Sequence, residues 1–170
     1  MVDEFIDKLH TLERDIMDAF VLDADMRKYL CEMKEENDAG ESDEYISMAF
    51  DIAAMHFHTA IKFVPVVLLV EVSRKINQKF GGYADCVVYW ICDLPQQDIR
   101  CLTHSQLAVI RQWLVLVAAD DFADDDLGRA LDIVDCALGN AIGSKGSGTP
   151  RQAWLNYHDE RNMNHKQTEM

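Results

Sequence analysis

The sequence predicts an all-α protein: a single-domain helical bundle of five to seven helices over residues 1–142, followed by a flexible C-terminal tail. Three observations carry that expectation. Apolar residues recur at steps of three and four along most of the chain, the period of one face of an α-helix. Capping residues stand where these stripes begin. Only two short runs, 66–72 (VVLLVEV) and 86–92 (CVVYWIC), have the β-branched and aromatic character of strands. A chain of 170 residues, 49% of them hydrophobic, is long enough to bury a core without a disulfide or metal staple.

Taken in order, Phe5, Leu9, Leu12, Ile16 and Phe20 form the stripe of a first amphipathic helix. A more polar second helix is expected over 25–36, with Met26, Tyr29, Leu30 and Met33 inward. A solvated loop should follow at 35–42 (EENDAGES), closed by Ser42 as an N-cap, with Asp43 and Glu44 complementing the helix dipole. The segment 43–63 reads as the central helix. Tyr45, Met48, Ile52, His56 and Phe63 make one stripe, and Ile46, Phe50, Ala53, Phe57 and Ile61 make another. A helix apolar over most of its girth is buried by its neighbours. Pro65 should open the next helix in its first turn, where its missing N–H costs nothing, and that helix should stop at Gly81-Gly82. Length and context favour helix for 66–72 and leave 86–92 open. After Pro95, Thr103 and Gln106 match a capping box ahead of the stripe Leu107, Ile110, Leu114 and Val117. A last core helix opens at Asp124–Asp126, carries Leu127, Leu131, Val134 and Leu138, and ends near Gly143.

Gly and Ser dominate 143–148, the composition of a flexible linker. Beyond it, Thr149-Pro150 is a helix start, and Trp154, Leu155 and His158 share a face too small to be stable alone. The tail, 149–170, is therefore expected to contain a short docking helix that finds the acidic body of its own chain or of a second copy, giving a homodimer through exchanged tails.

Charge narrows the partners. The formal net charge is −14, distributed as −11 over residues 1–51, −4 over 52–143 and +1 over 144–170. A polyanion is repelled by nucleic acid and by anionic membrane, so neither is an expected partner. A cationic protein is. The longest uncharged apolar run, 63–70, falls well below the roughly 20 residues of a membrane span. The acidic start MVDEFIDKLH is unlike a signal peptide. Five cysteines, 31, 86, 92, 101 and 136, without a CxxC pair read as reduced, mostly buried thiols of a cytoplasmic protein.

Candidate chemistry fails on spacing. His56 and His58 lie two apart, and on a helix such residues point about 200° from one another. His56 on the apolar stripe therefore reads as a core histidine and His58 as a surface one. A metal- or small-molecule-binding bundle, with Asp51, His56 and His58 as its residues, stays as the alternative. Asp7 and His10 form a carboxylate–histidine pair at i, i+3, best read as a helix-surface contact. Neither ExxH nor HExxH occurs. Asp120, Asp121, Asp124, Asp125 and Asp126 do not meet the EF-hand pattern. Acids at a helix N-terminus account for some of them, and five exceed what capping needs, so they are also read as a docking surface for Lys or Arg. Cys101 near His104 is too unspecific to be a nucleophile–base pair. There is no GxSxG elbow, and 139–145 lacks the glycine spacing of a phosphate loop. Trp90, Trp113 and Trp154 with the methionines could line a ligand pocket, and at helical spacing they read rather as core. No catalytic residue and no cofactor are expected.

The stretch 102–114 (LTHSQLAVIRQWL) resembles a segment in small acidic bacterial proteins of uncharacterised families, some of which are immunity proteins that neutralise a partner toxin. That resemblance implies a helical protein whose role is binding, and it assigns no catalytic residue. With the charge, it leads to the expected function: an acidic module capturing a basic protein, in the manner of an immunity or inhibitor-type protein. The partner-binding residues would be Asp120, Asp121, Asp124, Asp125, Asp126, Trp154 and Leu155. A secretion chaperone or a DNA-mimic protein would share these features.

Overall fold

A computed structural model describes residues 2–79, 81–121 and 124–139, and among these every regular element is a helix. The order is α1 Val2–Ala19, α2 Ala24–Ala39, α3 Asp43–Asp51, α4 Phe57–Ile76, α5 Ala84–Asp93, the single turn α6 Gln96–Ile99, α7 His104–Trp113 and α8 Asp125–Ala137. A 3₁₀ turn, Ile52–Ala54, follows α3. A π-helical stretch, Leu114–Ala118, and a last turn, Ala119–Asp121, prolong α7 without a break. The helices number eight among the described residues rather than five to seven. The division of 43–63 leaves the number unchanged, since its second part joins the following helix as α4; the count rises because 86–92 is helical, as α5, and because α6 is a separate turn.

α4 is the axis of the fold. α1, α2 and α5 all pack against it, while α7 contacts both α1 and α8, and α8 packs on α5. Residues 64–72 are buried without interruption, which is the pattern of a helix enclosed by neighbours. The girth argument therefore belongs to α4 and not to 43–63. That segment ends as a helix at Asp51, and Met55 and His56 take extended backbone angles before α4 begins. The apolar period runs on across the break, which is why sequence reads it as one helix. The break also puts His56 at the N-cap of α4, exposed to solvent, so it is not a core histidine.

Pro65 stands well inside α4 and is buried, against the expectation that it opens a helix. Its ring leaves the Ile61 carbonyl without a helical donor, and burial of the surrounding stretch holds the helix together. α4 ends at Ile76, and the left-handed turn falls at Gln78 (φ 56°) before Gly81 (φ 69°), so the chain leaves the helix earlier than the glycines suggested. α2 runs through to Ala39, absorbing half of the expected loop. The reason is Asn37, buried in the last turn, whose amide donates to the Met33 carbonyl (2.8 Å).

Other sequence expectations hold in detail. Leu9, Leu12, Ile16 and Phe20 are buried. Ser42 caps α3 by accepting from the Tyr45 N–H (3.2 Å), and the Thr103–Gln106 capping box is present with both bonds formed. Both strand candidates are helical, inside α4 and α5. Of the five thiols only Cys86 and Cys92 are buried; Cys31 and Cys101 are exposed and Cys136 is intermediate, because each of these three sits on the outward side of an amphipathic helix or turn. Among the described residues no helix is long and apolar enough to cross a membrane. α8 ends at Ala137, with Leu138 as its C-cap and Gly139 left-handed (φ 75°), so the last helix stops earlier than the expected end near Gly143. The linker, 143–148, and the tail, 149–170, lie outside the described residues.

Candidate functional site

The acidic run at 120–126 divides into two groups with different work. Asp120 and Asp121 end the α7 rod and both accept from the Lys75 ammonium of α4, Asp120 at 2.7 Å. The Lys75 side chain is 7% exposed, so these two acids neutralise a charge the core has enclosed. Burial alone would depress the Lys75 ammonium, but the bonds and charges of the two carboxylates hold it above its ordinary value. The π stretch ahead of them keeps Leu114, Val117 and Ala118 buried, and the turn it leads into carries both acids.

Asp124 is the N-cap of α8, accepting from the N–H groups of Asp126 (2.8 Å) and Leu127 (3.3 Å). Asp125 and Asp126 occupy the first turn, where the helix dipole favours acid. Asp124 and Asp126, together with Asp85 at the start of α5, also act on Tyr89, which is 41% exposed on α5. Packing against its neighbours and these three charges raise the Tyr89 phenol above its ordinary range. A partly exposed aromatic residue thus lies within the field of three carboxylates. In the N-terminal third a half-buried tyrosine also lies in the field of acids. Partial burial and the charges of Glu44, Glu36 and Glu32 raise Tyr29, whose ring meets Phe63 edge-on at 6.0 Å.

Beneath the surface lies a polar centre that sequence reasoning passed over. Glu71, 1% exposed, accepts at Oε1 from the Tyr45 hydroxyl (2.6 Å) and from the Tyr83 backbone N–H (3.1 Å). A Cβ at position 82 would stand 2.0 Å from Glu71 Oε2, so Gly82 is what allows the carboxyl to seat against the turn. Arg74 donates from Nη2 (3.0 Å) and Nε (3.3 Å) to the Gly81 carbonyl, and from Nη1 to Asn37 Oδ1 (3.4 Å). Burial raises Glu71, partly offset by the Tyr45 and Tyr83 bonds and the Arg74 charge, while the Asp121 charge adds to the rise. The visible signal was a single acid inside the apolar run VVLLVEV, since a carboxyl in such a run needs buried partners.

The alternative metal set does not assemble as a pocket: Asp51, His56 and His58 are all exposed, and no metal-competent cluster of three or more His, Cys, Asp or Glu occurs among the described residues. His10 Nδ1 lies 3.7 Å from Glu13 Oε2, an i, i+3 pair on the surface of α1. Cys101 Sγ donates to the Gln97 carbonyl (3.4 Å). Burial, with Asp85 adding to it, pushes the Cys86 thiol up to about 12, and burial, partly offset by Arg129, pushes Cys92 up to about 11, so neither is a thiolate at neutral pH. A groove of about 340 Å³ between α1 and α7 is lined by Asp15, Asp18, Ala108, Val109 and Gln112 among others. Trp154 and Leu155 lie outside the described residues. No family model, curated protein or solved structure matches the chain.

Proposed function

We propose that this chain is an acidic protein-binding module that captures a basic partner protein, in the manner of an immunity or inhibitor-type protein. The observation that carries the reading is Tyr89, exposed on α5 among the carboxylates of Asp85, Asp124 and Asp126. A tyrosine face attracts a cation by its quadrupole, and neighbouring acids accept that cation's hydrogen bonds. Tyrosine is also among the residues that dominate interface energetics. The wider field of −14 would speed encounter and make it salt-sensitive. Within this reading Asp124, Asp125 and Asp126 are the contact acids, and Asp120 and Asp121 contribute mainly through the fold.

The test is a pull-down from the source cell at low and high salt, followed by binding measurements on the recovered partner. A basic protein should be retained at low salt and weakened at high salt. Tyr89→Ala should then lose at least about tenfold in affinity, the effect of a modest hot spot. The double variant Asp124→Asn/Asp126→Asn keeps the α8 cap, since Asn caps as well as Asp, and should slow association and flatten the salt dependence. Recovering no basic protein at either salt, or finding Tyr89→Ala without effect, would overturn the reading.

The tail enters on sequence alone. Deleting 144–170 is expected to lower both the melting temperature and the solution mass, as the seat of Trp154 and Leu155 is vacated and exchanged tails are lost. Unchanged values in calorimetry and light scattering would remove the tail, and the homodimer with it, from the account.

A further inference from the structure

We propose that Glu71 is a proton-operated latch: as the neutral acid it clamps α3 to the turn between α4 and α5, and its ionisation loosens that clamp. The geometry that carries this is the convergence of three chain segments on one enclosed carboxyl. Tyr45 reaches it from α3, the Tyr83 N–H from the start of α5, and Gly82 packs its backbone against Oε2. The latch concerns the fold alone and does not depend on the partner-binding reading.

The groups facing Glu71 determine which way it works. Tyr45 on α3 is fully enclosed, and its burial and the charge of Glu71 push the phenol well above its usual range, so it remains a hydroxyl donor. Cys86 on α5 stays a neutral thiol. Asp121, at the end of the α7 rod, opposes a second negative charge. Arg74, on the same helix as Glu71, favours it, but its guanidinium is held by the Gly81 carbonyl and Asn37, and no ion pair reaches Glu71 among the described residues. The two bonds to Oε1 come from neutral donors. They are weaker than the solvation an ionised carboxyl loses on burial.

Lifting α3 from the turn would hydrate the carboxyl and return it to the ordinary range near 4.5. The closed form therefore binds its proton more tightly than the open form. Stability of the clamp is fully present below the ordinary value, declines as pH rises through the interval up to the closed-state value, and is level above it. Within that interval, opening becomes more frequent by up to about tenfold per pH unit. Each opening frees the edge where Phe50, 60% exposed, and Tyr45 both meet the Tyr83 ring.

Two measurements on the full chain test this. Amide hydrogen exchange at Tyr83, expressed as a protection factor at each pH, should fall as pH rises and then plateau. Glu71→Gln keeps an oxygen acceptor for Tyr45 and Tyr83 but cannot ionise, so its protection should not change across the same range. The side-chain carboxyl carbon of Glu71, followed by NMR in the parent protein, needs no variant to fold and should titrate above ordinary glutamate. Titration at or below the ordinary value would overturn the latch, as would a protection factor that falls equally in Glu71→Gln.

Discussion

Truncating Trp113 to alanine is expected to cost about 3–5 kcal/mol, the range for removing a large aromatic from a closed core. Trp113 is fully buried at the end of α7, and its indole N–H donates to the Leu68 carbonyl of α4 (3.1 Å). It is thus the bolt between the axis of the fold and the rod that carries Asp120 and Asp121. For a domain of this size the loss corresponds to a fall in melting temperature of roughly 10 °C or more. Trp113→Phe, which keeps a ring but not the donor, should recover much of it. Leu68 can still bond within its own helix, so no buried carbonyl is orphaned by that change. Thermal melts followed by circular dichroism decide the matter. A Trp113→Ala variant melting within about 2 °C of the parent would show that the α4–α7 contact carries little of the stability.

The double variant Asp120→Asn/Asp121→Asn should destabilise the protein by about 2 kcal/mol, because it leaves the enclosed Lys75 ammonium without a counter-charge. The figure is lower than for a fully dry pair, since the Asp120 side chain is 62% exposed and water shares its field. Lys75→Met in the same background should restore part of the loss by removing the unpaired charge. The pH dependence follows from the raised Lys75 value. The contribution is fully present below the ordinary lysine value of 10.5 and is lost only as pH climbs through the higher folded-state value. The gap in melting temperature between parent and double variant should therefore hold steady through neutral pH and shrink in strong alkali. Asp124→Asn/Asp126→Asn should leave stability nearly unchanged, which separates acids that hold the fold from acids that face a partner. A double variant at 120 and 121 as stable as the parent would return those residues to the surface.

Much of the helical architecture was legible in local chemistry. The stripe from Phe5 to Phe20, the cap at Ser42 and the box at Thr103–Gln106 act within one or two turns, so neighbouring residues contain the whole cause. The misread 43–63 helix has a local origin. Periodicity reports which face is apolar, and it continues unchanged through a break such as Met55–His56, where the chain turns but the same side still meets the core. Pro65 misled in the opposite direction. A proline stops an isolated helix, yet here the neighbours of α4 supply the stability that the lost hydrogen bond removes.

The candidate sites divide in the same way. The charge of the chain and the density of acids at 120–126 are properties of composition, and they were visible without a structure. Which acids are engaged was not, because Lys75 lies 45 residues from Asp120 in sequence and meets it only when α7 folds across α4. Tyr45 and Glu71 are likewise 26 residues apart. By itself, the sequence determined the all-helical class, the caps at Ser42 and Thr103 and the sign of the electrostatic field, since each depends on neighbouring residues or on a sum over the whole chain. The tertiary structure alone decided that α4 is the axis, that two of five clustered acids are spent on a buried lysine, and that a carboxyl sits sealed between three segments. Those outcomes depend on pairing distant residues out of water, where an unmatched charge costs far more than any local preference.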